Sequence, residues 1–297
     1  MTTAPPDAAP PGTAAGAAPP RSLGATRQPP PERPQHLRRS AMTVAPIVGL
    51  VVVFGIWEFY VRVFDISRLT LPTPTSILVH LVDEPGFYWR HAQVTLYEAA
   101  LGYGIALGAS LVVATFMAHS RFVERASMPV IVLLQSTPVA VLAPVFLIWF
   151  GFTYWPKVLV ASVFCYIPFT INQFTGLRSV DPNAYELLRS VSAGKVEIFA
   201  KLRFPQSLPY LFSAGRLCVG LALVGAVIGE MFGGSTEGLG NTARVGQTRL
   251  LIDQLWGSIF VLACIGVIAN LLLAAVETRV LRWHSSQDLP GGSAAAL

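Results

Sequence analysis

Apolar runs of about twenty residues dominate this chain. There are six of them, at about Thr43–Val63, Val94–Ala118, Met128–Phe150, Lys157–Leu177, Tyr210–Met231 and Gln254–Val276. A helix rising 1.5 Å per residue needs roughly 20 such residues to cross about 30 Å of hydrocarbon. Soluble core helices are shorter and carry a polar face. Only 12% of the 297 residues are charged, against about 25% in ordinary globular domains. The pattern therefore predicts an all-α, multi-pass membrane protein.

Residues 1–41 differ in kind. They are rich in Pro, Ala and Gly, with Leu23 and Leu37 as almost the only aliphatic side chains. Such a stretch cannot bury a core, so it is expected to be a disordered tail, with no signal-cleavage pattern after the first apolar run. The transmembrane domain is expected over 42–284 and a short flexible tail over 285–297.

Basic residues set the orientation. The tail, Arg121 and Arg125, the 178–208 loop, and Arg279 with Arg282 together hold fourteen of the 21 Lys and Arg. All fall on one side of a six-span topology, which predicts both termini inside. Arg68, Arg90, Arg244 and Arg249 lie in the opposite loops, Arg62 and Lys157 at helix ends, and Arg216 within a span.

Within the spans, Gly102, Gly104, Gly108, Ala106 and Ala109 suit close helix packing. Pro129, Pro138, Pro144 and Pro168 free backbone carbonyls that lipid cannot satisfy, so spans three and four are expected to face protein or a wet cavity. Uncharged hydrogen-bonding groups beside those prolines, Gln135, Thr137, Asn172 and Gln173, are candidates for a solute path together with Pro138 and Glu230. Interhelical hydrogen bonding is the competing role for the first four, and a capped helix end for Glu230. Glu98 and Glu58 are read as interfacial span ends, and Arg216 as snorkelling to the inner face. Cys165, Cys218 and Cys264 are expected to be small packing residues. The cysteine and histidine spacings lack a metal pattern.

The 178–208 loop is too long for a turn in a compact bundle. Asp181-Pro182 is a helix-start signal, and Tyr185, Leu188, Val191 and Val196 recur near helical spacing. Two short helices are expected, with Pro205 and Pro209 ending the element before the fifth span. Their apolar face fits either a protein partner or lipid headgroups.

Glu186-Leu187-Leu188-Arg189-Ser190-Val191-Ser192-Ala193-Gly194, with Pro205 in register, resembles the Glu-Ala-Ala loop of ABC-type importer permeases. Leu202 and Phe204 stand at that pattern's Ile and Leu. Leu187 and Leu188 replace its two alanines, and Ser192 replaces its glycine. Gln135-Ser136-Thr137-Pro138 through Pro144, Trp149-Phe150-Gly151, Gly176-Leu177-Arg178, Gly225 through Glu230 and Gly238-Leu239-Gly240 look like the nitrate/sulfonate/taurine-type group. The first of these looks most like the branch importing thiamine-precursor pyrimidines.

The resemblance implies a type I permease bundle of six spans in a bacterial inner membrane, acting as a homodimer. It implies a cytoplasmic coupling helix at Glu186, Leu187, Leu188, Ser192, Ala193 and Gly194, with Pro205. It implies three partners besides lipid: an ABC ATPase dimer using ATP-Mg, an extracytoplasmic solute-binding protein, and a second permease copy. The chain itself has no G-x-x-x-x-G-K-[ST] loop, so no cofactor and no enzymatic activity are expected of it, and no nucleic acid is expected as a partner. The alternative is an ion-coupled secondary transporter, which calls for midplane carboxylates and repeated halves.

Overall fold

The computed structural model describes residues 35–282, with side chains from 48 onward. The expected tails at 1–41 and 285–297 fall largely or wholly outside them. The chain divides into two units, Met1–Val48 and Gly49–Leu297. The first, where described, is the start of helix α1.

Eleven helices are described: α1 (Gln35–Val63), α2 (Pro74–Asp83), α3 (Pro85–His119), α4 (Arg121–Ser136), α5 (Leu142–Phe150), α6 (Trp155–Arg178), α7 (Pro182–Ser190), α8 (Lys195–Ile198), α9 (Phe204–Phe232), α10 (Leu239–Thr248) and α11 (Ile252–Val280). A single 3-10 turn, Val139–Val141, precedes α5, and a π-helical turn, Phe199–Arg203, joins α8 to α9. Among the described residues, four helices are long and apolar enough to cross a bilayer: α3, α6, the continuous Lys195–Phe232 stretch and α11.

The third span, expected as one rod over 128–150, is broken. The α4 helix and the Val139–Phe150 segment meet at 83°. Thr137 leaves the helix in an extended conformation and Pro138 follows it. Proline disfavours the α region in the residue before it, so the chain turns there. Pro168 has no such effect, and α6 runs unbroken through it.

The fifth span also differs from expectation. Pro205 and Pro209 do not end the preceding element. Pro205 lies two residues after the π-helical turn, at the start of α9, and the chain is helical from Lys195 onward.

The core is built around α6. A Cβ at Gly102 of α3 would stand 2.6 Å from that of Ala161, and one at Gly225 of α9 would stand 2.5 Å from the Ala161 Cα. Both glycines are therefore required for the two helices to clasp α6, the close approach that small residues permit in membranes. Gly104 and Gly108 face open space instead. Cys165 and Cys218 are buried across the α6–α9 seam, each thiol reaching the other's carbonyl at 3.3 and 3.5 Å. Cys264 is exposed, against the packing role expected for it.

The outer helices carry apolar side chains outward. Val51, Ile56 and Phe59 of α1 and Leu271 and Leu272 of α11 are exposed, which suits lipid as solvent. Aromatic contacts join the two helices, with Phe54 and Phe260 rings 5.4 Å apart and Trp57 and Trp256 5.1 Å apart. The Arg216 guanidinium donates to Glu277 near the C-terminal end of α11 at 2.8 Å.

Candidate functional site

The loop after α6 forms two short helices, as its sequence predicts. The Asp181 carboxylate accepts the Asn183 N–H at 3.0 Å, and Pro182 occupies the first helical position of α7. The end of α7 is a Schellman turn. Ala193 N–H donates to Leu188 C=O and Ser192 N–H to Arg189 C=O, both at 3.0 Å. Ser192 therefore adopts the left-handed conformation, with φ of 60°. Glycine holds this position in the resembled pattern, because it reaches that region without strain.

Gly194 caps the start of α8 with extended dihedrals, and no atom lies within 4 Å of where its Cβ would be. Glu186 is exposed, as are Leu187 (68%), Val191 (68%) and Val196 (81%). Leu188 and Ala193 are half-buried.

The base of this loop is fixed to the bundle. Arg178 donates to both carboxylate oxygens of Glu124, at 2.7 and 2.5 Å, and lies 4.4 Å over the Phe174 ring. Ile198 is buried, Phe199 packs 5.3 Å from the His119 ring, and Arg203 lies 5.7 Å over Tyr185. An apolar ridge of Leu187, Val191 and Val196 is thus carried outward on an anchored base.

At the break in the third span, Gln135, Ser136, Thr137 and Pro138 are all exposed. Ser136 and Thr137 hydroxyls donate back to Val132 and Leu133 carbonyls, at 2.9 and 2.8 Å. Each keeps its oxygen lone pairs free to accept. An interrupted helix and exposed polar side chains lie together here, a combination tolerated at membrane depth only against protein or water.

The other candidates lie apart from the break. Asn172 is half-buried and donates to Pro168 C=O at 2.8 Å. This satisfies a carbonyl within the same helix, close to the proline. Gln173 is fully buried and donates to Ser207 of α9 at 3.0 Å. Glu230 is fully buried as well. One of its oxygens accepts from Thr95 at 2.6 Å, and the other accepts the Gly240 N–H at 2.5 Å.

Glu230 belongs to a buried cluster that the sequence reading did not assemble. Lys157 lies 3.6 Å from Glu98, both nearly inaccessible. Glu98 is therefore no interfacial span end. Thr95 accepts the Leu239 N–H at 2.8 Å, and His91 Nδ1 accepts the Gly238 N–H at 3.0 Å. The loop between spans five and six, read as simple loop, holds α10, and this cluster receives its N-terminus. The available signal was the recurrence of Gly225, Gly229, Gly238 and Gly240 around Glu230, which marks close backbone approach. A Cβ at Gly229 would stand 2.6 Å from the Lys157 Cα.

Among the described residues no group of three His, Cys, Asp or Glu is placed to hold a metal ion. A polar cleft of about 600 Å³ lies where α1, α2 and α11 meet, lined by Arg62, Arg68, Thr73, Asp83 and Asp253.

The chain matches the family described as "Binding-protein-dependent transport system inner membrane component" over residues 105–282. It is 30% identical over 252 residues to the formylaminopyrimidine transport permease protein of Halalkalibacterium halodurans, covering 84% of this chain and all of that one. It is 25% identical over 252 residues to the taurine transport system permease protein of Escherichia coli, covering 82% and 91% of the two chains. A crystal structure titled as an amino acid ABC transporter with histidines shares the fold, with a TM-score of 0.54 and 18% identity over 68% of this chain and 97% of that chain. Family membership sets aside the ion-coupled alternative, and the chain belongs to the binding-protein-dependent transport family as a multi-pass permease subunit of an ABC importer whose ATPase is a separate chain.

Proposed function

We propose that two copies of this chain form the pore of an importer for a small uncharged heterocycle of the pyrimidine class, with the break at Gln135–Pro138 on the solute path. The observation that carries this is the exposed polar break itself. Exposed polar side chains at an interrupted helix cannot face acyl chains, so in a membrane a second copy and a solute cavity cover the break. The Gln135 amide and the Ser136 and Thr137 oxygens offer neutral donors and acceptors, which match the edge of a heterocycle.

An oxyanion such as a sulfonate or nitrate calls for a cation instead. The two described cations inside spans, Lys157 and Arg216, are each already paired with a glutamate. The 30% identity to a formylaminopyrimidine permease favours the same class.

Both termini lie in the cytoplasm in this reading, which puts α7 and α8 on the ATPase side. The exposed ridge of Leu187, Val191 and Val196, flanked by Glu186, fits a groove on each ATPase of a dimer that binds ATP-Mg. The polar cleft at Arg62, Arg68 and Asp83 then faces the solute-binding protein on the opposite side. Glu230, Asn172 and Gln173, with most of their hydrogen bonds made within the protomer, support the path from behind.

The experiment is uptake by a deletion strain expressing the chain with its ATPase and receptor. Labelled aminopyrimidine, taurine and nitrate are supplied separately. The expected result is accumulation of the pyrimidine alone, with Gln135→Ala raising its KM about tenfold, the loss of one good hydrogen bond. Uptake of taurine or nitrate with no pyrimidine uptake overturns the substrate class.

A further inference from the structure

The import reading uses the apolar ridge of the 178–208 loop and leaves its charges without a role. The stretches 121–125 and 178–203 hold seven basic residues against four acidic ones. Three of the acids are engaged within the chain. Glu124 takes both arms of Arg178, Glu197 accepts from Lys201 at 2.6 Å, and Asp181 caps the first turn of α7. The fourth, Glu186, is exposed.

Arg203 is left over. It is half-buried, and it makes no ion pair and no side-chain hydrogen bond among the described residues; the Tyr185 ring, 5.7 Å away, is its contact. A ring face attracts the charge, but it offers no lone pair to the five N–H donors of a guanidinium. Beside Arg203 lies a cavity of about 290 Å³, walled by Ala118 and Leu177 from the ends of α3 and α6, by Pro182 and Tyr185 of α7, and by Arg178 and Arg203. Arg178 spends two donors on Glu124, which leaves three more. Two guanidinium forks therefore line one small cavity with one carboxylate between them. Such forks match the paired oxygens of a phosphate group.

The position selects the source of that phosphate. Arg178 ends α6, Arg121 begins α4, and Arg203 directly precedes α9. The cavity is thus level with the ends of the apolar helices, the depth at which headgroups lie. Phe116 and Phe122, on either side of the α3–α4 turn at this end, are exposed. A soluble oxyanion has no use for such rings, whereas a lipid covers them. Basic pockets at the ends of spans are the usual seat of anionic headgroups.

We propose that the phosphate of an anionic phospholipid sits between Arg178 and Arg203, and that it ties α7 to the ends of α3 and α6. The lipid then becomes a structural part of the docking element. The leaflet is the cytoplasmic one in the orientation given above, but the site itself depends neither on that orientation nor on the solute.

The test uses the intact permease–ATPase complex in nanodiscs, made either of phosphatidylcholine alone or of phosphatidylcholine and phosphatidylglycerol in equal parts. Native mass spectrometry identifies the lipids that stay on the released complex. The wild type keeps phosphatidylglycerol in preference. Arg203→Gln lowers that retention about fivefold, the worth of one cation at a membrane surface, and Arg203→Lys, which keeps the charge but not the fork, lowers it less. Arg90→Gln, at the opposite end of α3, leaves it unchanged. In parallel, amide hydrogen exchange over 178–203 is slower in the wild type when phosphatidylglycerol is present, and Arg203→Gln loses that difference. Inorganic phosphate added to the phosphatidylcholine discs leaves exchange fast.

Equal retention of the two lipids, a preference that survives Arg203→Gln, or exchange that ignores the lipid overturns the proposal. Slowing by inorganic phosphate alone also overturns it, since the site then belongs to a soluble oxyanion. No uptake is read, so failure here is separate from failure of the substrate class.

Discussion

The loop at 178–208 and the cluster around Glu230 are opposites. The loop exposes leucine and valine where polar residues are the norm, and the cluster buries lysine and glutamate where apolar residues are the norm. Each inversion has a physical reason. Exposed aliphatic side chains on an anchored base are a surface waiting for a partner. Buried charges that are mutually paired and hydrogen-bonded hold helices in one arrangement and penalise any other. One region is built to touch another molecule and the other to keep this molecule in shape.

That contrast breaks if variants in the two regions fail in the same way. The largest effect is expected at the seam beside the cluster. Gly225→Leu drives a side chain into the Ala161 backbone, at a cost above about 3 kcal/mol. The expected outcome is loss of folded permease, read as protein extracted from membranes in a monodisperse state. Glu186→Lys belongs to the other region and should leave that amount unchanged. Uptake per folded permease should fall at least about tenfold, equivalent to about 1.4 kcal/mol or more of lost coupling, with ATPase co-purification reduced. Gly194→Asp is expected to act the same way, since its open surroundings accept the side chain without cost to the fold. Normal uptake in both removes the docking role from α7 and α8.

Two smaller effects sharpen the comparison. Thr95→Val keeps the shape of the side chain but strips the hydroxyl that links Glu230 to the α10 N-terminus. Leaving those buried groups unmatched costs about 1–3 kcal/mol, measurable as a lower unfolding temperature in detergent. Ser192→Gly relieves a left-handed backbone that glycine adopts freely. It should stabilise the end of α7 by about 0.5–1 kcal/mol and leave uptake intact, read as slower amide exchange over 188–193.

The two regions also differ in how visible they were. Asp181-Pro182 announced α7, because capping is a local matter of the backbone and its nearest side chains. The Schellman turn is equally local, yet serine at 192 masked it, since only the dihedral shows that serine stands in for glycine. The long apolar runs gave the spans for the same reason of local periodicity. The cluster was missed because its members come from four helices. Glu98 read alone is a carboxylate near a span end, and Lys157 read alone is a basic residue at a helix start. Their pairing depends on α3 and α9 both pressing on α6, which the sequence signals only as scattered glycines. The break at Thr137–Pro138 lay between. Its prolines were visible, but Pro168 carries the same signal in a helix that stays unbroken, so the residue type alone cannot say which proline turns the chain.

The helical continuity from Lys195 to Phe232 has a mechanical consequence. Those 38 residues, at about 1.5 Å each, make a rod nearly 60 Å long, with α8 at one tip and the Glu230 cluster at the other. A tilt of the docking end swings the far end through a comparable arc, without any intervening loop to absorb it. The π-helical turn at Phe199–Arg203 is then the wrist of a lever. It is the one place along the rod where a widened backbone lets the hand turn before the arm follows.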